Sequence, residues 1–151
     1  MAMLLSGSRA QAETRFEDYP AAARLQAGSP SAQPDFGGRD AWARRFQTRI
    51  REGLTEGPNF AGHYSLIQIG CGTGCSFAYL VDHATGEVLS FPYGQERQAM
   101  SLSRKVDSRL VKVSWTQGER TCVEHDLVWD AERFALVEQT TYPMRDFACD
   151  R

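Results

Sequence analysis

The stretch Tyr64–Asp82, YSLIQIGCGTGCSFAYLVD, decides how this chain folds. Its two halves, YSLIQIG and SFAYLVD, are rich in β-branched and aromatic residues, and glycines and cysteines stand between them. That pattern predicts two strands joined by a tight turn. Working outward, HATGE is a turn and VLSFP a third strand. SRLVKVSW, TCVEHDLVWD and RFALVEQTTYP then read as three more. The intervening YGQERQAMSLSRK reads as a polar link, helical or irregular. Upstream, Trp42, Phe46, Ile50 and Leu54 recur every fourth residue behind Asp40, a fair N-cap, and Gly57-Pro58 is a stop signal. This predicts a helix over Asp40–Leu54 whose apolar stripe packs on a sheet. Arg44, Arg45, Arg49 and Arg51 occupy its other faces and read as solvated. The expected fold is α+β: a single antiparallel sheet of five or six strands with one main helix packed on one face.

The chain has 151 residues, 24% charged and 42% apolar, which fits a single domain with a real core. A net charge of -2 gives no general attraction to nucleic acid, and no apolar run is long enough to span a bilayer. Residues 1–12 read as the remnant of an export signal: a short apolar patch, Met1 to Leu5, then Ala10-Gln11-Ala12 in an A-x-A pattern. Residues 13–39, full of Ala, Ser, Pro and Gly, read as a flexible N-terminal arm anchored by the aromatics of RFEDYP, and 40–151 as the α+β domain. Periplasmic or secreted localisation follows from that reading.

Export would place the four cysteines, Cys71, Cys75, Cys122 and Cys149, in an oxidising compartment. Four cysteines allow three pairings. Cys71–Cys75 with Cys122–Cys149 is the first choice, because it closes one tight knuckle and ties the C-terminal tail to the body.

GCGTGC itself, residues 70–75, admits several chemistries. A phosphate loop would lead into a helix and usually a lysine, whereas a strand pattern follows here. A thioredoxin-like redox pair has two intervening residues at a helix start, and this stretch has three and no helix. Zinc would need a second knuckle-like ligand pair, which Cys122 and Cys149 do not form. No cofactor or metal is implied. What remains is geometric: Gly70, Gly72 and Gly74 can take positive φ, and a Cys71–Cys75 bond would stop the turn from splaying. The tip Gly72, Thr73 and Gly74 then becomes the candidate contact surface. A plain hairpin staple stands beside that reading.

The histidines His63, His83 and His125 show no ligand spacing. His83, in a turn, should be solvated. His63 begins a strand, where a hydrogen-bonded structural role is the default, and His125 should face away from Glu124 and Asp126. A Cys71/His63 nucleophile pair gives an alternative, thiol-dependent enzyme, although no orienting carboxylate is evident. No G-x-S-x-G or other enzyme signature is present.

EGPNFAGHYSLIQIGCGTGCSFAYLVDHATGEV, together with the preceding REGL and the later VWDAERFAL, resembles a family of small, exported, mostly uncharacterised bacterial proteins. The family's shared features are a helix ending in REGL-x-EGPNFAGHY, a GCGT-x-C knuckle and a D-x-x-TG-x-V hairpin. A looser likeness is to the periplasmic inhibitor of vertebrate lysozyme, in which a cysteine-closed loop carries a histidine into the enzyme's cleft. The loop here is one residue shorter, with neither histidine nor charge. The family resemblance is almost silent on activity, and the looser likeness implies only a stapled loop that plugs a partner's groove. With the knuckle and no enzyme signature, the expected function is a non-enzymatic exported protein binding a protein partner, with an inhibitor or immunity protein for a cell-wall hydrolase as the most concrete form. A structural envelope component is the remaining alternative.

Overall fold

The computed structural model describes residues 12–26 and 28–149. The export-signal reading therefore lies outside the described residues apart from Ala12. A 3₁₀ stretch, Ala41–Phe46, runs into the helix α1, Gln47–Thr55. Seven strands follow: β1 (Tyr64–Gly72), β2 (Cys75–Asp82), β3 (Val88–Ser90), β4 (Gln98–Arg104), β5 (Leu110–Gln117), β6 (Thr121–Trp129) and β7 (Phe134–Pro143). They form two antiparallel sheets, β1-β2-β3 and β4-β5-β6-β7.

This corrects the expectation of one sheet of five or six strands. The first reason is β4, whose polar sequence reads as a link but which forms a strand. Met100 and Leu102 are buried there while Ala99, Ser101 and Ser103 are exposed, the alternation of a half-buried strand. The second reason is that β3 cannot be extended. Asp40 accepts the Val88 N–H, and two residues after Ser90 comes Pro92, which has no N–H to donate. The chain turns away through Gly94 and starts a new sheet, which stacks on the first.

The stacking explains the apolar runs of β1 and β2. One face of the first sheet, with Leu66, Ala78 and Leu80, packs on Met100, Leu102, Val111, Val113, Leu127 and Trp129 of the second. Its other face, with Ile67, Ile69, Tyr79 and Val81, receives Ala43, Ile50 and Leu54. A sheet covered on both sides reads as a continuous hydrophobic run instead of an alternating one.

The helix also begins differently from expectation. Ala41–Phe46 is 3₁₀, in which residues three apart eclipse one another. Ala43 therefore turns inward with Phe46, and Trp42 leaves the predicted stripe and is 54% exposed. Asp40 makes no side-chain cap. It is fully buried and accepts the backbone N–H groups of Asp35 (2.8 Å) and Val88 (3.0 Å), with Arg39 on its outer side. Burial alone would raise its pKa, but Arg39 and those two N–H groups outweigh burial and hold it below the usual carboxylate range. The helix ends at Gly57, at φ 81°, whose N–H reaches Leu54 O.

Residues 13–39, expected as a flexible arm, lie against the domain at several points. Ser108 Oγ lies between the carbonyls of Phe16 (2.8 Å) and Tyr19 (3.0 Å), which share its one proton, and Ala21 N donates to Asp107 O. Ala23 crosses over Gly62, Gln33 crosses over Gly86, and Phe36 enters the core.

Candidate functional site

The β1–β2 hairpin ends in the knuckle. Gly70 pairs with Ser76 and Gly72 with Cys75, so Cys71 is an extra residue on β1, a bulge at the tip of the ladder. The turn itself is Thr73-Gly74, with Gly72 at φ 130° and Gly74 at φ 67°, conformations that L-residues resist. Cys71 and Cys75 are disulfide-bonded across it, with Cα atoms 5.0 Å apart. The second disulfide joins Cys122 to Cys149, with Cα atoms 5.6 Å apart.

Gly70 to Gly74 are all exposed. A Cβ at Gly70 or Gly72 would meet nothing within 4 Å, so no packing demand explains those glycines. The tip is nevertheless supported: Ala99 N donates to Gly74 O at 2.9 Å, and the Gln98 side chain lies beside Gly74. At the base, Gln68 Nε2 donates to Ser76 Oγ and Met100 O, both at 2.8 Å. The predicted contact residues Gly72, Thr73 and Gly74 thus stand together at a braced, solvent-facing tip.

The histidines fall elsewhere. His63 does have a carboxylate partner: its Nδ1 lies 2.7 Å from Asp82 Oδ1, and its ring stacks on Tyr64. The hairpin register could have revealed this, since Tyr64 pairs with Asp82. His63 and Tyr64 line a cavity of about 330 Å³ with Pro20, Ala23, Arg109 and Trp129. The proposed Cys71/His63 couple does not exist, however. The two residues lie at opposite ends of β1, roughly 25 Å apart at strand rise, and Cys71 is in a disulfide.

His83, expected in solvent, is fully buried. Its imidazole bridges Ser31 of the arm and Ser65 of β1, and burial lowers its pKa. His125 turns away from its acidic neighbours and meets Tyr93 Oη at 2.7 Å. Burial and the nearby Arg97 lower its pKa as well. On the opposite face, Lys112 Nζ lies 3.4 Å from Asp126 and 3.9 Å from Glu124. Asp126 is nonetheless held above the ordinary aspartate range, because its burial outweighs Lys112.

Among the described residues, no group of three His, Cys, Asp or Glu side chains converges as a metal ion would require. No helix among them is long and apolar enough to cross a membrane. One feature gave no signal in the sequence: a run of touching rings, Trp42, Tyr79, Phe77 and Phe46, beside the knuckle. Compared with protein-family models, curated proteins and solved structures, the chain matches none.

Proposed function

We propose that this chain is an exported binding protein that offers the knuckle Gly72-Thr73-Gly74 to a macromolecular partner, in its most concrete form a cell-wall hydrolase that it inhibits. The observation that carries the reading is the knuckle's construction. Five consecutive exposed residues are braced by a disulfide at the base and by the Gly74–Ala99 hydrogen bond at the tip, yet Gly70 and Gly72 pack against nothing. A tip already fixed in one conformation loses little entropy on docking, and that raises affinity. Its chemistry is bare backbone plus the Thr73 hydroxyl, suited to entering a narrow groove and hydrogen-bonding along its walls. Two disulfides accord with an oxidising, extracytoplasmic compartment.

The test is direct. The purified protein is added to a panel of muramidases, lytic transglycosylases and amidases acting on peptidoglycan suspensions, and the loss of turbidity is followed. At least one enzyme is slowed by the wild type and not by Thr73→Arg, a variant that keeps the wild-type melting temperature. Equal inhibition by both proteins, or none across the panel, overturns the reading and leaves the knuckle a hairpin staple.

A further inference from the structure

The cavity of about 330 Å³ beside His63 lies between the docked arm and the body of the domain, at the lower end of the size range of small-molecule sites. Rings form part of its wall. His63 stacks on Tyr64 with centroids 4.3 Å apart, and Tyr64 meets Trp129 edge to face at 5.7 Å. Ala22, Ala23, Ala61 and Ala131 supply much of the rest, with side chains too short to fill the space. The result is a slot with room for one flat ring.

Three polar side chains line the slot with bonding capacity to spare. Asp82 holds Nδ1 of His63 at 2.7 Å and does not itself line the cavity, so Nε2 is the nitrogen left to it. With Nδ1–H donated to the carboxylate, Nε2 of the neutral ring is an acceptor. Trp129 is 4% exposed, and its Nε1–H, near the Tyr64 hydroxyl but outside bonding geometry, has no hydrogen-bond partner among the described residues. A buried N–H is rarely left so. Arg109 is pinned by two carbonyls: Nε donates to Pro20 O at 3.1 Å and Nη1 to Trp129 O at 3.2 Å, which leaves Nη2 uncommitted. Arg109 has no ion pair among the described residues. The one carboxylate lining the cavity, Asp130, is already engaged by the N–H groups of Glu132 and Arg133, both at 2.8 Å, and by the Arg133 guanidinium at 3.8 Å. The uncompensated charge of the slot is therefore positive.

We propose that this cavity binds a small aromatic carboxylic acid that carries a ring hydroxyl. The carboxylate pairs with Arg109 and accepts the Trp129 N–H, the ring lies among Tyr64, Trp129 and the alanines, and the hydroxyl donates to His63 Nε2. A guanidinium suits a carboxylate, and a slot of rings and methyl groups suits a flat aromatic body. The inference is independent of the knuckle's role.

The experiment titrates the whole protein with 4-hydroxyphenylacetate in a calorimeter at about pH 8. Phenylacetate, which lacks the hydroxyl, and tyramine, which has an ammonium in place of the carboxylate, serve as controls. Saturable binding of 4-hydroxyphenylacetate is expected, with phenylacetate about tenfold weaker and tyramine not bound. Arg109→Gln should weaken binding about tenfold or more, the scale of one charge-assisted contact. Because Arg109 also holds the arm, Ala22→Trp is the second variant: Ala22 is exposed, so the large ring should block the slot and abolish binding while the protein melts with the wild type. Equal binding of tyramine removes the role of Arg109, and equal binding of phenylacetate removes that of His63. Either result, undiminished binding by Ala22→Trp, or no saturation at millimolar ligand overturns the proposal.

Discussion

Ser65 Oγ lies 2.6 Å from Nε2 of His83, and both residues are fully buried. The pair fixes a tautomer. Ser65 donates its hydroxyl proton to Gly57 O at 3.1 Å, so it accepts from Nε2–H. Nδ1 is then the acceptor for the Ser31 hydroxyl, 2.6 Å away on the arm. A neutral imidazole thus clamps residues 31 and 65 together, and burial holds its pKa below the ordinary 6.5. On acidification the unfolded chain takes up a proton at this group before the folded chain does. The stability it contributes is complete above about 6.5 and declines as pH falls toward the folded value. Urea denaturation across pH 5 to 8 should show that decline. His83→Gln should be less stable at pH 7.5 but flatter below it, and His125→Gln isolates the second lowered histidine. A wild-type profile with no decline below 6.5 would refute the clamp.

Two glycines admit the arm. At Gly62, φ 88°, a Cβ would collide with the backbone carbonyl of Ala23; at Gly86, φ 77°, it would collide with that of Gln33. Gly118, at φ 69°, faces open space. Alanine at any of the three incurs the strain of a left-handed residue, about 1–3 kcal/mol. Only at Gly62 and Gly86 must the arm also move. Gly62→Ala and Gly86→Ala should therefore destabilise more than Gly118→Ala, and Gly62→Ala should loosen the chain around the already exposed Arg24 and speed trypsin cleavage there. Equal losses in all three variants would count against a docked arm.

Asp40 and Asp126 are both buried, and they should answer substitution with opposite signs. Asp40 has a lowered pKa, so its stabilisation is present at neutral pH and disappears as pH falls through the folded value, below 3.8. Asp40→Ala leaves the buried N–H of Val88 unsatisfied and should cost about 1–3 kcal/mol. Asp126 has a raised pKa, so its charged form is disfavoured by folding, and its contribution improves as pH falls toward 3.8. Asp126→Asn should be neutral or stabilising at pH 7. Thermal melts at pH 7 and pH 4 distinguish the two, and a large loss for Asp126→Asn at pH 7 would contradict the assignment.

What the sequence made legible was local. The β1–β2 hairpin, the turn at His83–Glu87 and the helix stop at Gly57 all follow from residue types over short spans. The layer structure did not follow, because it depends on which faces meet. YSLIQI signals a strand but does not say that helix and sheet cover it on opposite sides. Met100 and Leu102 did carry the β4 signal, outvoted by the surrounding Gln, Arg and Ser. Asp40, which reads as a cap, and His83, which reads as solvated, share one cause: a polar residue in a cap or turn position shows only its local role until its distant partner is known. Trp42 shows the limit in reverse, since spacing of four implies burial only if the helix is α.

The two disulfides should separate stability from binding. Cys122–Cys149 spans 27 residues and Cys71–Cys75 only 4. Loop-closure entropy assigns about 3–4 kcal/mol to the first and about 2 to the second. The long link also holds the C-terminal tail, where Tyr142 Oη donates to Cys149 O. Serine at both Cys122 and Cys149 should therefore lower the melting temperature more than serine at both Cys71 and Cys75, as read by calorimetry. If the knuckle is a binding device, partner affinity follows the opposite order. The Cys71/Cys75 variant should lose inhibition while remaining folded, because its tip must be ordered anew at each encounter. The Cys122/Cys149 variant, assayed below its lower melting point, should keep inhibition. If instead inhibition is lost in parallel with stability in both variants, the knuckle acts only through the fold.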